Sequence, residues 1–242
     1  KEVITWGIEH NAYYLGMGDY IDVASPSNRS NIKSITLYDS IEDLLEQGTN
    51  RLVEEFLDIV KGTEGRWLGL LEGHHFFEFR DGTTSDTKIA SILKAPFLGT
   101  SCFLRLRFNR GESRHSLVIW AHHGAGGGMK QSAPLNRLEN IVTGFDADIY
   151  LMGHQHKKVP ALISQLYMTD NIPHRLKERT KYIASTGGFF QGYKQGSKVG
   201  NKVRGSYVEK KMYPPTALGT IIIRVKPCHQ ARGDSLKVSI EI

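Results

Sequence analysis

The chain has 242 residues, 40% of them hydrophobic and 23% charged, an ordinary composition for a globular protein with a sizeable core, and a single domain is expected. No run approaches the roughly 20 consecutive apolar residues that span a bilayer, and the first residues lack the order of a secretory signal, so a cytoplasmic location without a membrane partner is expected. Two cysteines, Cys102 and Cys228, exclude a disulfide framework, and a formal net charge of +6 favours anionic partners.

In chain order, residues 1–10 read as a helix with Val3, Ile4 and Ile8 on one face and a stop at Asn11. Tyr13 to Met17 is a short apolar run suited to a buried strand, and it runs straight into Gly18-Asp19-Tyr20-Ile21-Asp22. Ser40 with Asp43 predicts a capping box, followed by a long amphipathic helix carrying Ile41, Leu45, Leu52, Phe56 and Val60 and ended by Gly62. Trp67 to Leu71 predicts a second buried strand, delivering Glu72-Gly73-His74-His75. Strands follow at Cys102 to Phe108 and at Leu117 to Trp120, the latter leading into His122-His123-Gly124 and a run of glycines. Leu135, Leu138, Ile141, Val142 and Phe145 make a helical stripe, and Ile149 to Met152 is a strand that ends in Gly153-His154-Gln155-His156. Beyond Lys177 the sequence is rich in lysine, glycine and tyrosine; later strands of the same domain are expected at Gly219 to Val225 and Leu236 to Ile242, with a basic loop at about 194–206. Strands alternating with helices predict an α/β layered fold.

Four apolar strands thus deliver acidic or imidazole side chains at one kind of end. In open α/β sheets ligands bind beyond the carboxyl ends of the strands, where the loops converge. Asp19, His74, His122, His154 and His156 fall at such ends. Imidazole suits zinc, manganese and iron, a carboxylate can bridge two ions, and the lack of clustered thiolates disfavours a structural zinc finger. The set reads as a catalytic metal centre. Asp22, following a tight turn, reads as an orienting hydrogen-bond partner, and His123 as a supporting residue.

The order Gly18-Asp19-x-x-Asp22, Gly73-His74-His75, His122-His123-Gly124, Gly153-His154-x-His156 resembles the calcineurin-like metallophosphoesterase superfamily over nearly the whole chain. The glycine run after His123 and the segment from Tyr207 to Pro214 resemble the branch found in phages and prophages. The resemblance implies a β-sandwich of mixed sheets flanked by helices, holding two divalent ions, Mn2+ first, with Zn2+, Fe or Ni2+ as alternatives. It implies that Asp19 bridges both ions, that His122 and His154 bind one, that His156 binds the other, and that His75 is the general acid. His74 stands where the family keeps an Asn ligand, and Phe76 where it keeps an acidic partner for the histidine; a register with His74 as the acid stays open. The family's opening Asp-x-His motif has no match, and the chain begins within the helix that would follow it, so the first strand is expected upstream of Lys1.

The reaction implied is hydrolysis of a phosphate ester, a nucleotide or nucleic-acid phosphodiester first. A phosphomonoesterase or protein phosphatase is one alternative; a non-catalytic nucleic-acid- or protein-binding module on a degenerate phosphoesterase fold is another. Lys157, Lys158, Lys177, Arg179, Lys181, Lys194, Lys198, Lys202 and Arg204 form either a solvated face or a nucleic-acid groove. Arg232-Gly233-Asp234 is read as a chance tripeptide.

Overall fold

The computed structural model describes residues 1–35, 38–199, 202–203, 205–228 and 235–242. Gly200, Asn201 and Arg204 of the expected basic loop, together with His229 and Arg232-Gly233-Asp234, lie outside the described residues. The protein is a mixed α/β chain; the described residues form six helices and several sheets. They fall into two compact units, Lys1–Cys102 and Phe103–Ile242.

The first unit opens with α1 (Glu2–Glu9) and β1 (Tyr14–Gly16), as the apolar spacing predicts. Helix α2 (Pro26–Ser34) follows, a helix that apolar periodicity does not reveal because none of its residues is buried. Its start is written in polar residues: the Ser25 hydroxyl accepts from the Asn28 amide and Pro26 occupies the first turn. The long helix α3 (Asp39–Ile59) has Tyr38 rather than Ser40 at its N-cap, with no side-chain cap bond. The expected capping box is therefore absent, because Asp43 is drawn instead into an ion pair with Arg80.

Strand β2 (Trp67–Leu70) pairs in parallel with β1, so Gly16 and Leu70 end side by side and both strands point their following loops the same way. Helix α4 (Ser85–Ile92), also unforeseen, is started by a reciprocal Thr84–Thr87 capping box. Ile21, Val53, Val60, Leu70, Ile89, Ala90 and Leu93 interlock as this unit's core, flanked by Ile4, Tyr20 and Phe56. At about 25 cal/mol per Å2 of apolar surface removed from water, each fully buried aliphatic side chain contributes roughly 1.5–3 kcal/mol, which holds the two strand ends in place.

The second unit is built on a six-stranded sheet. Strands β3 (Ser101–Arg110) and β4 (Ser113–His122) are neighbours, and α5 (Ser132–Val142) carries the chain over to β5 (Ile149–Met152), parallel to β4. All four residues of β5 are buried, as its unbroken apolar run predicts. Strands β6 (Lys158–Met168) and β7 (Leu176–Gly188) form a long antiparallel pair, with β7 also parallel to β5. The short strands β8 (Lys198–Val199) and β9 (Lys202–Val203) pair with each other. After α6 (Tyr207–Lys210), β10 (Gly219–Thr220) joins β7, while β11 (Ile222–Cys228) and β12 (Ser235–Glu241) make a separate hairpin close to the expected bounds. Trp120, Leu138, Ala147, Tyr150, Met152 and Ile183 form the core between α5 and the sheet.

Two lysines of the expected basic face are internal, while Lys177, Lys194 and Lys202 are exposed. Lys157 and Lys181 are buried; the Lys157 ammonium donates to the Gly128 carbonyl and Lys181 to the Tyr150 hydroxyl. Arg179 is taken up by Asp146 and Asp148. Cys102 and Cys228 are free thiols. Among the described residues no helix is long and apolar enough to cross a membrane.

Candidate metal centre

In the first unit, Asp19 leaves β1 with a left-handed backbone, φ +55°. That conformation is uncommon outside glycine, though aspartate tolerates it. It turns the carboxylate toward the loop after β2, where Oδ1 accepts from the His74 amide at 2.5 Å and the His75 amide at 3.0 Å. Gly73 makes this approach possible: a Cβ there would overlap both the Asp19 nitrogen and its carboxylate and would lie 2.9 Å from its Cα. The Val23 and Ala24 amides donate to the His75 carbonyl in return, so the loops after β1 and β2 are knitted together.

Two residues that sequence reasoning missed brace this arrangement. Arg29, on the unforeseen α2, shares Nη1 among the carbonyls of Ala24 (2.7 Å), His74 (2.6 Å) and Phe76 (3.2 Å), and its guanidinium lies 3.8 Å from the Phe76 ring centroid. Asp86, in the first turn of α4 and 1% exposed, accepts from the Gly73 amide at 2.9 Å. Burial pushes the Asp86 carboxyl up to about 6, with the Gly73 hydrogen bond working against it. The readable signals were the Ser25-Pro26 start and the Thr84/Thr87 pair; neither says what the helix would then hold.

His75 Nδ1 lies 2.7 Å from Asp22 Oδ1. The acidic partner that Phe76 cannot supply thus comes from a residue 53 positions earlier. Its hydrogen bond raises the His75 pKa above the usual imidazole value, against the lowering effect of burial, with Asp19 assisting. The same bond lowers Asp22.

In the second unit, His122 is the last residue of β4 and lies on the same side as Trp120, with ring centroids 5.7 Å apart. Its Nδ1 accepts from the Gly124 amide at 2.7 Å, so the neutral ring carries its proton on Nε2 and, as it stands, offers no free lone pair there. Burial lowers its pKa, with His123 adding to the effect, so the neutral ring is favoured. Strand alternation sends His123 to the other side. His123 is 1% exposed and meets His154 edge-on, centroids 5.3 Å apart, with ring nitrogens of the two within 4.8 Å. Two imidazole nitrogens each about 2.1 Å from one tetrahedral ion lie about 3.4 Å apart, so this pair would have to close by no more than about 1.4 Å to share one.

His154 and His156 both adopt left-handed backbone, φ +62° and +55°. A tight turn directly after β5 is what places two imidazoles so close together in sequence beyond the same strand. Gly124 passes so near His154 that an added Cβ would sit 2.9 Å from the His154 Cβ. The glycine run therefore opens with a close approach, as its position suggests. His156 faces Phe190, ring centroids 6.2 Å apart. Beside it, Gln155 buries both amide atoms without a hydrogen-bond partner in the protein, a polar remnant consistent with a wet or ion-bearing neighbourhood.

The first unit therefore presents a carboxylate and imidazoles, and the second unit imidazoles, at the C-terminal ends of parallel strands. The donor types, imidazoles with one amide-held carboxylate, suit divalent first-row ions. Comparison of the chain with known protein families, with curated proteins and with solved structures finds no match.

Proposed function

We propose that the protein is a metal-dependent phosphoesterase of calcineurin-like type, with Asp19, His74, His154 and His156 as ligands for two divalent ions, Mn2+ first, and with His123, which meets His154, in the place expected for His122 on the other side of β4. The observation that carries this reading is the His123–His154 pair, whose ring nitrogens lie within 4.8 Å of each other beyond adjacent parallel strands. The layered sandwich of that superfamily is part of the same proposal. Bound there, the ions would polarise the phosphoryl oxygens and lower the pKa of the attacking water.

The chain's own residues do the rest. Asp19 is held in place by two amides on Oδ1. With Nδ1 engaged by Asp22, His75 carries its transferable proton on Nε2 and gives it to the alkoxide as the phosphorus–oxygen ester bond breaks. The Asp22 pairing favours the register in which His75 is the acid and His74 a ligand. A nucleotide or nucleic-acid diester is the preferred substrate because the chain's positive charge attracts polyanions; the His75 proton would serve an alkoxide leaving group from a diester or a monoester alike.

The test uses the whole protein. Protein stripped with chelator and reloaded with Mn2+ is expected to bind two ions per chain, as the proposal requires, and to release nitrophenol from bis(p-nitrophenyl) phosphate. His154→Ala is expected to lose at least about 100-fold in rate. Release from the monoester alone would favour the phosphatase alternative, and no metal-stimulated turnover of either substrate would refute the hydrolase reading.

A further inference from the structure

The β3–β4 hairpin of the second unit carries a basic cleft of about 510 Å3, lined by Arg105, Arg107, Arg114, His115, Asn109 and Ser116. Arg105, Arg107 and Asn109 recur at every second position, so they stand on one side of β3 in steps of about 6.7 Å, and all three are exposed. Arg114 and Ser116 are exposed at alternate positions of β4. Glu112, in the turn, is the one acidic residue between positions 101 and 122. Among the described residues none of these arginines has a carboxylate within ion-pair distance, whereas Arg80, Arg179 and Arg224 each do. The same strand continues to Phe103, 53% exposed, whose ring packs 5.9 Å from Phe145, itself 5.2 Å from Trp120.

We infer that this face binds single-stranded nucleic acid, with Arg105, Arg107 and Arg114 on successive phosphates and Phe103 stacking an unpaired base. Guanidinium forks pair with phosphate oxygens in bidentate fashion. The arginines would serve any polyanion, but a duplex keeps its bases inside, and stacking on an aromatic beside a row of phosphate-binding forks is what an unpaired strand supplies. The inference stands apart from the metal centre and holds whether or not the protein hydrolyses what it binds.

The test is fluorescence anisotropy of the full chain with labelled oligothymidylate, in chelator, across a salt series. Three phosphate contacts predict a slope of about −2 for log affinity against log salt, at roughly −0.7 per contact on a single strand. Arg105→Ser/Arg107→Ser/Arg114→Ser is expected to flatten that slope and to weaken binding more than about tenfold at low salt. Phe103→Ala is expected to weaken binding about 5- to 100-fold with the slope unchanged. If the triple variant melts below the parent, Arg107→Ser alone should still reduce the slope by about 0.7. Parental affinity and slope in a folded arginine variant overturn the inference. So does a silent Phe103→Ala, or equal competition by duplex, polyglutamate or phosphatidylserine vesicles. Hydrolysis of bis(p-nitrophenyl) phosphate is expected to be unchanged in every variant, which separates failure here from failure of the metal centre.

Discussion

Replacing Gly73 by alanine tests the arrangement around Asp19 most directly. The new Cβ would overlap the Asp19 nitrogen and Oδ1 and stand 2.9 Å from its Cα. These are mostly backbone atoms, so no side-chain rotation relieves the overlap, and the loops after β1 and β2 must separate. Separation breaks the hydrogen bonds from the His74 and His75 amides to Asp19, now 2.5 and 3.0 Å. Hydrogen bonds to a charged group contribute roughly 1.5–3 kcal/mol each; discounted for the half-exposed position, the loss comes to about 2–4 kcal/mol. For a chain of this size that lowers Tm by roughly 5–15 °C, measured by circular dichroism in chelator. Gly48→Ala is the control: it lies within α3, an added Cβ meets nothing within 4 Å, and the change is expected to stabilise by about 0.5–1 kcal/mol. A Gly73→Ala protein melting within about 1 °C of the parent, against that yardstick, would refute the close approach and the carboxylate clamp with it.

Asp22→Asn removes the leading cause of the raised His75 pKa, leaving burial to lower it; the His75 imidazole resonances are expected to titrate at lower pH, and the alkaline limb of any pH–rate profile to move down with them. An unmoved titration would remove Asp22 from that role. Asp86→Asn is expected to stabilise the metal-free protein at neutral pH. The carboxyl rises from 3.8 to about 6 on folding, so the native state holds the proton more tightly and the wild type loses stability as pH climbs through that window. About two units correspond to at most roughly 3 kcal/mol, and the Asn oxygen still accepts from Gly73; melts at pH 7 should differ while melts near pH 3.5, below both values, should converge. Arg29→Lys, which cannot serve three carbonyls and a ring at once, is expected to cost about 1–3 kcal/mol in denaturant titration. Arg51→Lys, in an exposed pair with Glu55, is expected to cost less than about 0.5 kcal/mol.

Short apolar runs bounded by glycine and polar residues made the central strands legible, because a strand buried on both faces has no alternative to continuous hydrophobicity. Ile149 to Met152 is the plainest instance, its run and its strand coinciding. The positions of Asp19, His74, His154 and His156 past strand ends, and of His122 at one, followed from the same signal. Helices α2 and α4 were not legible by periodicity: α2 buries nothing, and the buried side of α4 includes the polar Ser85 and Asp86. The capping box expected at Ser40 failed because Asp43 finds Arg80 across the fold, a contact between residues 37 apart that no local pattern encodes.

Tertiary structure alone decided which side chains meet. The Asp22–His75 hydrogen bond spans 53 residues, the Asp19–His74 amide bond 55 and the Asp86–Gly73 bond 13; each depends on where two separately folded loops come to rest. The choice between His122 and His123 as neighbour of His154 likewise rests on the phase of β4, since a shift of one residue exchanges the two sides of a strand. Residue types and their strand-end order are local properties, written by propensity and burial. Convergence is a property of packing, and it was the packing of α2, α4 and the parallel strands that set the distances on which the chemistry depends.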